Sequence, residues 1–350
     1  MNTLKKIISN NVRQFGMVIA LVVIAILFQF LTGGVLLTPL NITNIIMQNS
    51  YIILLAFGML IVIITGEIDL SVGSVVAFVG AISGILLVNQ DLPVIVGIFL
   101  SLLIGAAIGA FNGFWVAYVR IPAFIVTLAS MLIFRGLTLV ALNGQTIAPF
   151  PDSFRSLSTA FIPDIFNGGD LHILTILVGA LLTIVYIIFE YRNRQNDKKY
   201  NVDTSSNSLF IAKLVIAAVI INTFTFVLAQ YEGIAIVLVL IFFIYLIYAS
   251  MMNKTVLGRH IYAVGGNENA ARLSGINSNK VKFWVFVNMG VLSALAGLIF
   301  AGRLNAATPQ AGTGFELDAI AAAVIGGASM TGGVGTVFGA VIGALVMGIL

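Results

Sequence analysis

Apolar residues fill this 350-residue chain in runs of roughly 18 or more, each able as an α-helix to cross a hydrocarbon layer of about 30 Å. Nine such runs read as membrane spans: Met17–Leu37, Ile45–Thr65, Leu70–Val88, Val94–Val119, Ala123–Leu142, Leu171–Phe189, Leu209–Ala229, Gly233–Met252 and Phe283–Ala301. A further apolar region, Phe315–Leu350, is interrupted by glycines. Solid runs, rather than short segments of alternating polarity, argue for helices and against a barrel. The chain is 60% hydrophobic and 9% charged, so it lacks the polar coat of a soluble globule. The fold class that follows is an all-α polytopic membrane bundle of about 9–11 transmembrane helices, a single transmembrane domain across residues 1–350. The last run, Val341–Leu350, has no polar flank, so the chain is expected to be incomplete at this end.

Charge sets the orientation. With the N-terminus in the cytoplasm and the spans alternating, fourteen of the 17 Lys and Arg residues fall on the inside, Lys5, Lys6, Arg120 and Lys254 among them. Arg155 and Arg303 fall outside, and Arg135 lies within a span. The excess of basic residues belongs on the cytoplasmic side, so the basic balance reflects topology rather than nucleic-acid binding. Met17–Leu37 is too long for a signal peptide and is expected to remain in the membrane. The absence of cysteine excludes thiolate metal centres and iron–sulfur clusters. His172 and His260 are too few and too far apart for a zinc or haem site, so no metal is expected. Three hydrophilic segments remain. Asn143–Asp170, with Asp152, Asp164 and Asp170, is an outer loop; Tyr191–Asn207 is an inner segment expected to be flexible; Asn253–Lys282 is a long inner loop.

Five features of the sequence carry chemistry or mechanics. In the long inner loop Asn267 can cap a short helix through Ala270, Ala271 and Arg272, and Gly275 can stop it. Such a helix can dock into a cytoplasmic partner, although spacing alone favours an ordinary basic loop. Between the second and third spans, Gly66 can end one helix and Asp69 can cap the next. Glu67, Asp69 and Ser71 are then pathway or gating candidates, with an inter-span ion pair as one use of the acids; a capped tight turn explains Gly66 and Asp69 equally well. Arg135 lies roughly 22 Å beyond Arg120 along its helix, deep enough to require a partner. Glu316, Asp318 or a carbonyl of a broken helix are the options. Asp318 can cap a helix starting at Ala319, with the glycine-rich stretch Gly326–Gly335 following. That pattern is either a helix broken inside the membrane near residues 318–335, the reading preferred here, or a short span ending in an ordinary turn. Two glycine combs, Gly105, Gly109, Gly113 and Gly335, Gly339, Gly343, have the spacing of close helix packing.

Three ordered segments make the reading more specific. Gly258–Ile276 (GRHIYAVGGNENAARLSGI), Gly66–Ser74 (GEIDLSVGS) and Gln310–Ser329 (QAGTGFELDAIAAAVIGGAS) resemble motifs of the ribose, galactose and xylose type of permease subunit from bacterial ABC importers. The resemblance covers roughly residues 40–145 and 250–350, and the three spans within 171–252 resemble the longer xylose-type and multiple-monosaccharide permeases. It implies a multi-pass protein of the bacterial plasma membrane that translocates a pentose or hexose delivered by an extracytoplasmic sugar-binding protein. It also implies a second permease copy in a homodimer and a cytoplasmic ATPase subunit, of tandem-domain type. Gly258, Arg259, Gly265, Gly266, Asn267, Ala270, Ala271, Arg272 and Gly275, within loop 253–282, then belong to the loop that couples to that ATPase. No phosphate-binding loop occurs, since Gly332 and Gly333 have no lysine beside them; the chain is expected to be no enzyme itself and to hold no cofactor, with ATP bound by the partner. The alternative, an ion-coupled secondary sugar transporter, would need carboxylates at mid-membrane, whereas the acids here cluster at span ends.

Overall fold

The computed structural model describes residues 12–166, 168–169, 171–200 and 206–350; Lys5, Lys6 and Asp170 of the charge reading lie outside these. Helices account for the architecture, and the only β pairing among the described residues is two isolated bridges, Ile147 with Ala307 and Phe161 with Ala235. In chain order the first helices are α1 (Val12–Leu31), α2 (Pro39–Gln48), α3 (Ser50–Ile64), α4 (Val72–Gly84, continued by a π-helical turn Ile85–Asn89), α5 (Val94–Ala117), α6 (Ala123–Ala141) and α7 (Asp152–Thr159). There follow α8 (Ile173–Lys199), α9 (Asn207–Ala229), α10 (Ile236–Lys254), α11 (Val256–Gly266), α12 (Glu268–Leu273), α13 (Ser278–Leu304), α14 (Phe315–Ile325) and α15 (Val337–Ile349). Among the described residues, seven helices are long and apolar enough to span a membrane: α4 with its extension, α5, α6, α8, α9, α10 and α13. The α2–α3 pair makes an eighth span bent by 46°. At that bend the Asn49 side chain donates to the carbonyls of Ile45 (2.8 Å) and of Gly348 in the last turn of α15 (3.3 Å), which ties the kink to that helix. Gly16–Leu31 and α15 are shorter apolar helices.

The centre of the bundle is built from α3 and α13. Helix α3 is apolar on every side and buried along its whole length, as expected of a helix wholly surrounded by protein. Helix α13 has 27 residues, so it is roughly 40 Å long and serves as a post for α3, α4 and α5. Its closest neighbour is α5. Gly105, Gly109 and Gly113 line that seam, where any added Cβ would meet backbone atoms of Phe283, Phe286 or Gly290 on α13. Gly339 and Gly343 lie in the same way against the carbonyls of Gly326 and Ala322. Gly335 precedes α15 rather than sharing its face, because the helix starts at Val337 with Thr336 as cap. Both combs are therefore used in packing within one chain.

Helices α8 and α9 form an outer hairpin whose apolar side chains are mostly exposed, the pattern of a lipid-facing surface. The segment from Tyr191 to Lys199, expected to be flexible, instead continues α8. Glu190 pairs with Lys213 at 2.7 Å, and the Arg194 guanidinium bonds Asn207 while lying 4.2 Å from the Phe210 ring centre; these contacts give the polar stretch the partners a helix extension needs. Two helix starts also differ from the sequence expectation. Helix α4 begins at Val72, not at Leu70, and α14 begins at Phe315, not at Ala319. Gly314, left-handed at φ 83°, supplies the cap of α14, so Asp318 sits in the first turn beside Glu316, where both acids face the positive end of the helix dipole.

The α5–α13 seam gives a direct stability test. Gly109→Ala would press a methyl onto backbone atoms of α13 and is expected to destabilise the purified protein by about 1–3 kcal/mol in thermal unfolding. Gly136→Ala, with open space around the new methyl, should be neutral or stabilising by up to about 1 kcal/mol. Equal effects at the two positions would contradict the seam.

Candidate functional site

Two non-helical stretches enter the bundle and meet near the middle of α13. The first joins α3 to α4. Glu67 bonds Lys282 near the start of α13, whereas Val76 packs against Gly297, 15 residues further along that helix and so roughly 22 Å away. Nine residues of helix would rise only about 13 Å. The non-helical segment Glu67–Ser71 followed by the first turn of α4 covers the distance. The second stretch follows α13. Asn305 turns the chain in the left-handed region (φ 55°), Ala307 bridges Ile147, and the backbone then descends until Gly312 lies against the backbone of Gly73. Neither of these two glycines has room for a side chain at that crossing.

Backbone outside a helix at this depth needs partners inside the protein. Arg135 supplies them for the second stretch, donating to the carbonyls of Ala311 (2.6 Å) and Pro309 (3.4 Å). These acceptors are none of the options expected from sequence: Arg135 pairs with neither Glu316 nor Asp318, and Pro309 and Ala311 precede the helix whose carbonyl was expected. Glu316 lies beside Gly73 with one carboxylate oxygen buried and unpaired, and Asp318 is partly exposed. The first stretch is held by a directed string. The Ser130 hydroxyl donates to the Asn112 carbonyl oxygen, the Asn112 amide donates to Ser71 Oγ (3.0 Å), and the Ser71 hydroxyl and N–H both donate to Asp69 Oδ1 (2.6 and 2.8 Å). Thr127 adds a bond to the Ile68 carbonyl at 3.4 Å. Asp69 is thus two residues short of the cap of α4; its carboxylate closes a turn on Ser71, and Ser71 takes the cap position.

The loop 253–282 is folded onto the near ends of these elements. Thr255, Asn267 and Asn277 cap α11, α12 and α13, accepting from the N–H groups of Gly258, Ala270 and Lys280. Gly258 is buried against the end of α10, and Arg259 is exposed. Gly275 ends α12 with φ 85°, as the sequence requires of a helix stop. Gly265 lies against the Ile64 carbonyl with no space for a Cβ. That same carbonyl accepts from the Gly333 N–H at 2.8 Å, and the Tyr262 hydroxyl donates to the Gly335 carbonyl at 2.8 Å. The glycine-rich turn after α14 therefore seats at the basic end of the bundle. Helix α14 is only 11 residues long and the glycine-rich stretch after it turns against α3 and α11 at that end, so the non-helical backbone at depth lies before α14, at residues 305–314, and not within 318–335, where the sequence reading preferred it. On α12, Ala271 faces the bundle and is buried, whereas Gly266, Asn267, Ala270, Arg272 and Leu273 face out, Leu273 with 91% of its surface exposed.

One cation joins the loop to the first break. Lys282 Nζ lies 2.7 Å from Glu67 Oε1 and 2.8 Å from Glu268 Oε2, with only 15% of the lysine side chain exposed. Glu67 thereby realises the inter-span ion pair that the sequence offered. Partial burial pushes the Glu268 carboxyl up, but the Lys282 hydrogen bond and charge outweigh it and hold the group below the usual carboxylate range. Lys282, Glu268, Asn112 and Ser130 were not singled out in the sequence. Asn112 carries a visible signal, a lone amide within an apolar span between Gly109 and Gly113.

Two measurements test this geometry. Arg135→Met leaves two buried carbonyls without their donor and should lower stability by about 1–3 kcal/mol in thermal unfolding, with Arg135→Lys intermediate; a neutral Arg135→Met would contradict the role. Because the Glu268 carboxyl is depressed in the folded protein, its contribution is present above the ordinary value of about 4.3 and is lost as pH falls through the lower folded value. The difference in thermal midpoint between the unsubstituted protein and Glu268→Gln should be flat from pH ~7 to ~5 and shrink progressively as pH falls further, through the depressed folded value. A difference that persists undiminished through that acid range would contradict the ion pair.

Comparisons place this architecture. Residues 41–350 match the family described as branched-chain amino acid transport system / permease component. The xylose transport system permease protein XylH of Haemophilus influenzae is 40% identical over 342 residues, covering 98% of this chain and 89% of the relative. XylH of Escherichia coli is 38% identical, covering 97% of this chain and 84% of the relative. The ribose import permease protein RbsC of Escherichia coli is 37% identical over 312 residues, covering 89% of this chain and 76% of the relative. No solved structure matches the chain. A match over most of the chain, with relatives aligned through both helix breaks and the basic loop, shows that the chain belongs to this family of multi-pass permeases, the membrane subunits of ABC importers.

Proposed function

We propose that this chain is the translocating subunit of an ATP-driven importer for a pentose or a related monosaccharide. The relatives named for xylose and ribose transport support the substrate class, and the xylose-type relatives align over the larger share of the chain. Nothing among the relatives favours an ion-coupled carrier. The distribution of Lys and Arg supports an N-terminus in the cytoplasm, which puts loop 253–282 on the cytoplasmic side.

The observation that carries the mechanism is the position of α12. This short capped helix stands out from the bundle with Arg272 and Leu273 exposed, while its neighbours Gly265 and Lys282 are fixed to the ends of the two broken spans. An exposed leucine beside an arginine suits a protein partner, because apolar and guanidinium groups are the usual anchors of an interface. The partner proposed is a cytoplasmic ATPase subunit of tandem-domain type, which binds the ATP that this chain has no phosphate loop to hold. Closure of that partner on ATP moves α12 as a rigid body, and the motion reaches the non-helical stretches at mid-depth. A sugar-binding protein delivers substrate on the opposite side. A second copy of the chain completes the pathway, and it packs elsewhere than on the glycine combs, which are already covered. The chain itself is assigned no catalytic residue and no cofactor.

Reconstitution tests this reading. Sugar uptake into proteoliposomes should require this chain, the ATPase subunit, ATP and the binding protein together. The exposed-face variant Arg272→Glu with Leu273→Asp should reduce co-purification of the ATPase by tenfold or more, roughly the loss of one interface anchor, without changing the thermal midpoint of the permease. Uptake by this chain alone, driven by a proton or sodium gradient, would overturn the assignment.

A further inference from the structure

The permease reading assigns a docking face but not the element that carries its movement into the membrane. We propose that Lys282 is that element, a positioning residue that straps α12 to the non-helical segment Glu67–Ser71. The inference rests on the permease reading and adds a residue role to it.

Three observations carry it. First, the ammonium has two anchors on separate elements, Glu268 on α12 and Glu67 on the non-helical segment. The lysine and Glu67 side chains are only 15% and 18% exposed, so water screens their attraction far less than it would a surface pair. Second, the segment it holds is fixed by side chains rather than by a backbone ladder, the Thr127 bond to the Ile68 carbonyl among them. The amides of Ile68, Asp69 and Leu70 enter no backbone–backbone hydrogen bond, so side-chain anchors set the register of the stretch. Glu67 is the anchor at its basic end, and Asp69 and Ser71 are the anchors at depth. Third, those deep anchors continue through Asn112 on α5 to Ser130 on α6. A shift of Glu67 is thereby passed along the short non-helical segment to the polar string between three helices. Packing of Gly265 on Ile64 connects the loop to α3, but α3 ends before the non-helical segment begins. Among the described residues only the strap reaches past that end by a charged contact.

The test separates a transmitting role from a purely structural one by measuring sugar moved per ATP hydrolysed in the reconstituted complex. Lys282→Met and Glu67→Gln should each lower that ratio by roughly tenfold, within the usual range for coupling between two sites. Lys282→Arg should restore it to within about twofold, and the double variant Glu67→Gln with Lys282→Met should be no worse than the poorer single one. A full ratio in either single variant overturns the strap, and so does a parallel fall of uptake and hydrolysis that leaves the ratio unchanged. If Lys282→Met fails to accumulate in the membrane, Glu67→Gln and Lys282→Arg decide the matter by the same criteria. Absence of ATP-driven uptake by the unsubstituted complex would overturn the permease reading and the strap with it; normal uptake with full ratios in the variants overturns the strap alone.

Discussion

Backbone that leaves a helix inside an apolar slab must find hydrogen-bond partners within the protein, because the surrounding lipid offers none. Much of the arrangement here follows from that requirement being met twice. Arg135 enters the bundle to bond the carbonyls of Pro309 and Ala311, which places one cation where an apolar side chain would otherwise pack. Asn112 and Ser130 occupy seams of α5 and α6 to hold Ser71 and Asp69. Glycines at 73 and 312 allow the two stretches to touch. Each substitution of side chain for ladder gives up helical cooperativity and gains a segment whose position depends on a few contacts.

That dependence is what makes the segments suited to transport. A continuous helix resists stretching because every turn is bonded to the next, whereas a short non-helical segment held at its ends transmits a displacement along its length. The near ends of both broken spans converge on one junction, where the Ile64 carbonyl, Gly265, Gly333 and the Lys282 ion pairs meet. Helix α12 is built on the outside of that junction. The docking face and the movable backbone are therefore parts of one local assembly, and the long outer hairpin of α8 and α9 takes no part in it.

Much of this was legible from residue order. The apolar runs located the helices, the caps Asn267 and Gly275 located α12, and the depth of Arg135 announced a partner before one was visible. The boundaries of α4 and α14 were not legible. Sequence reasoning placed Asp69 and Asp318 as caps because aspartate is a good one, but the caps are Ser71 and Gly314, since tertiary contacts at Asn112 and the left-handed turn at Gly314 decide where each helix starts. Lys282 was counted only as one more basic residue of a cytoplasmic loop. Its significance lies in two carboxylates brought to it from positions 67 and 268, and proximity across 215 residues leaves no mark on local pattern.

The central claim is that α12 and the near ends of the broken spans move as one piece. The absence of native cysteine allows spin labels to be placed in pairs, Leu273 of α12 with Thr331 of the glycine-rich turn and Leu273 with Val140 at the far end of α6, all three exposed. Pulsed electron paramagnetic resonance on labelled chain diluted into unlabelled chain, in complex with the ATPase subunit, would report the distances with and without trapped nucleotide. The account predicts an unchanged Leu273–Thr331 distance and a changed Leu273–Val140 distance. A Leu273–Thr331 distance that shifts while Leu273–Val140 stays fixed would contradict it.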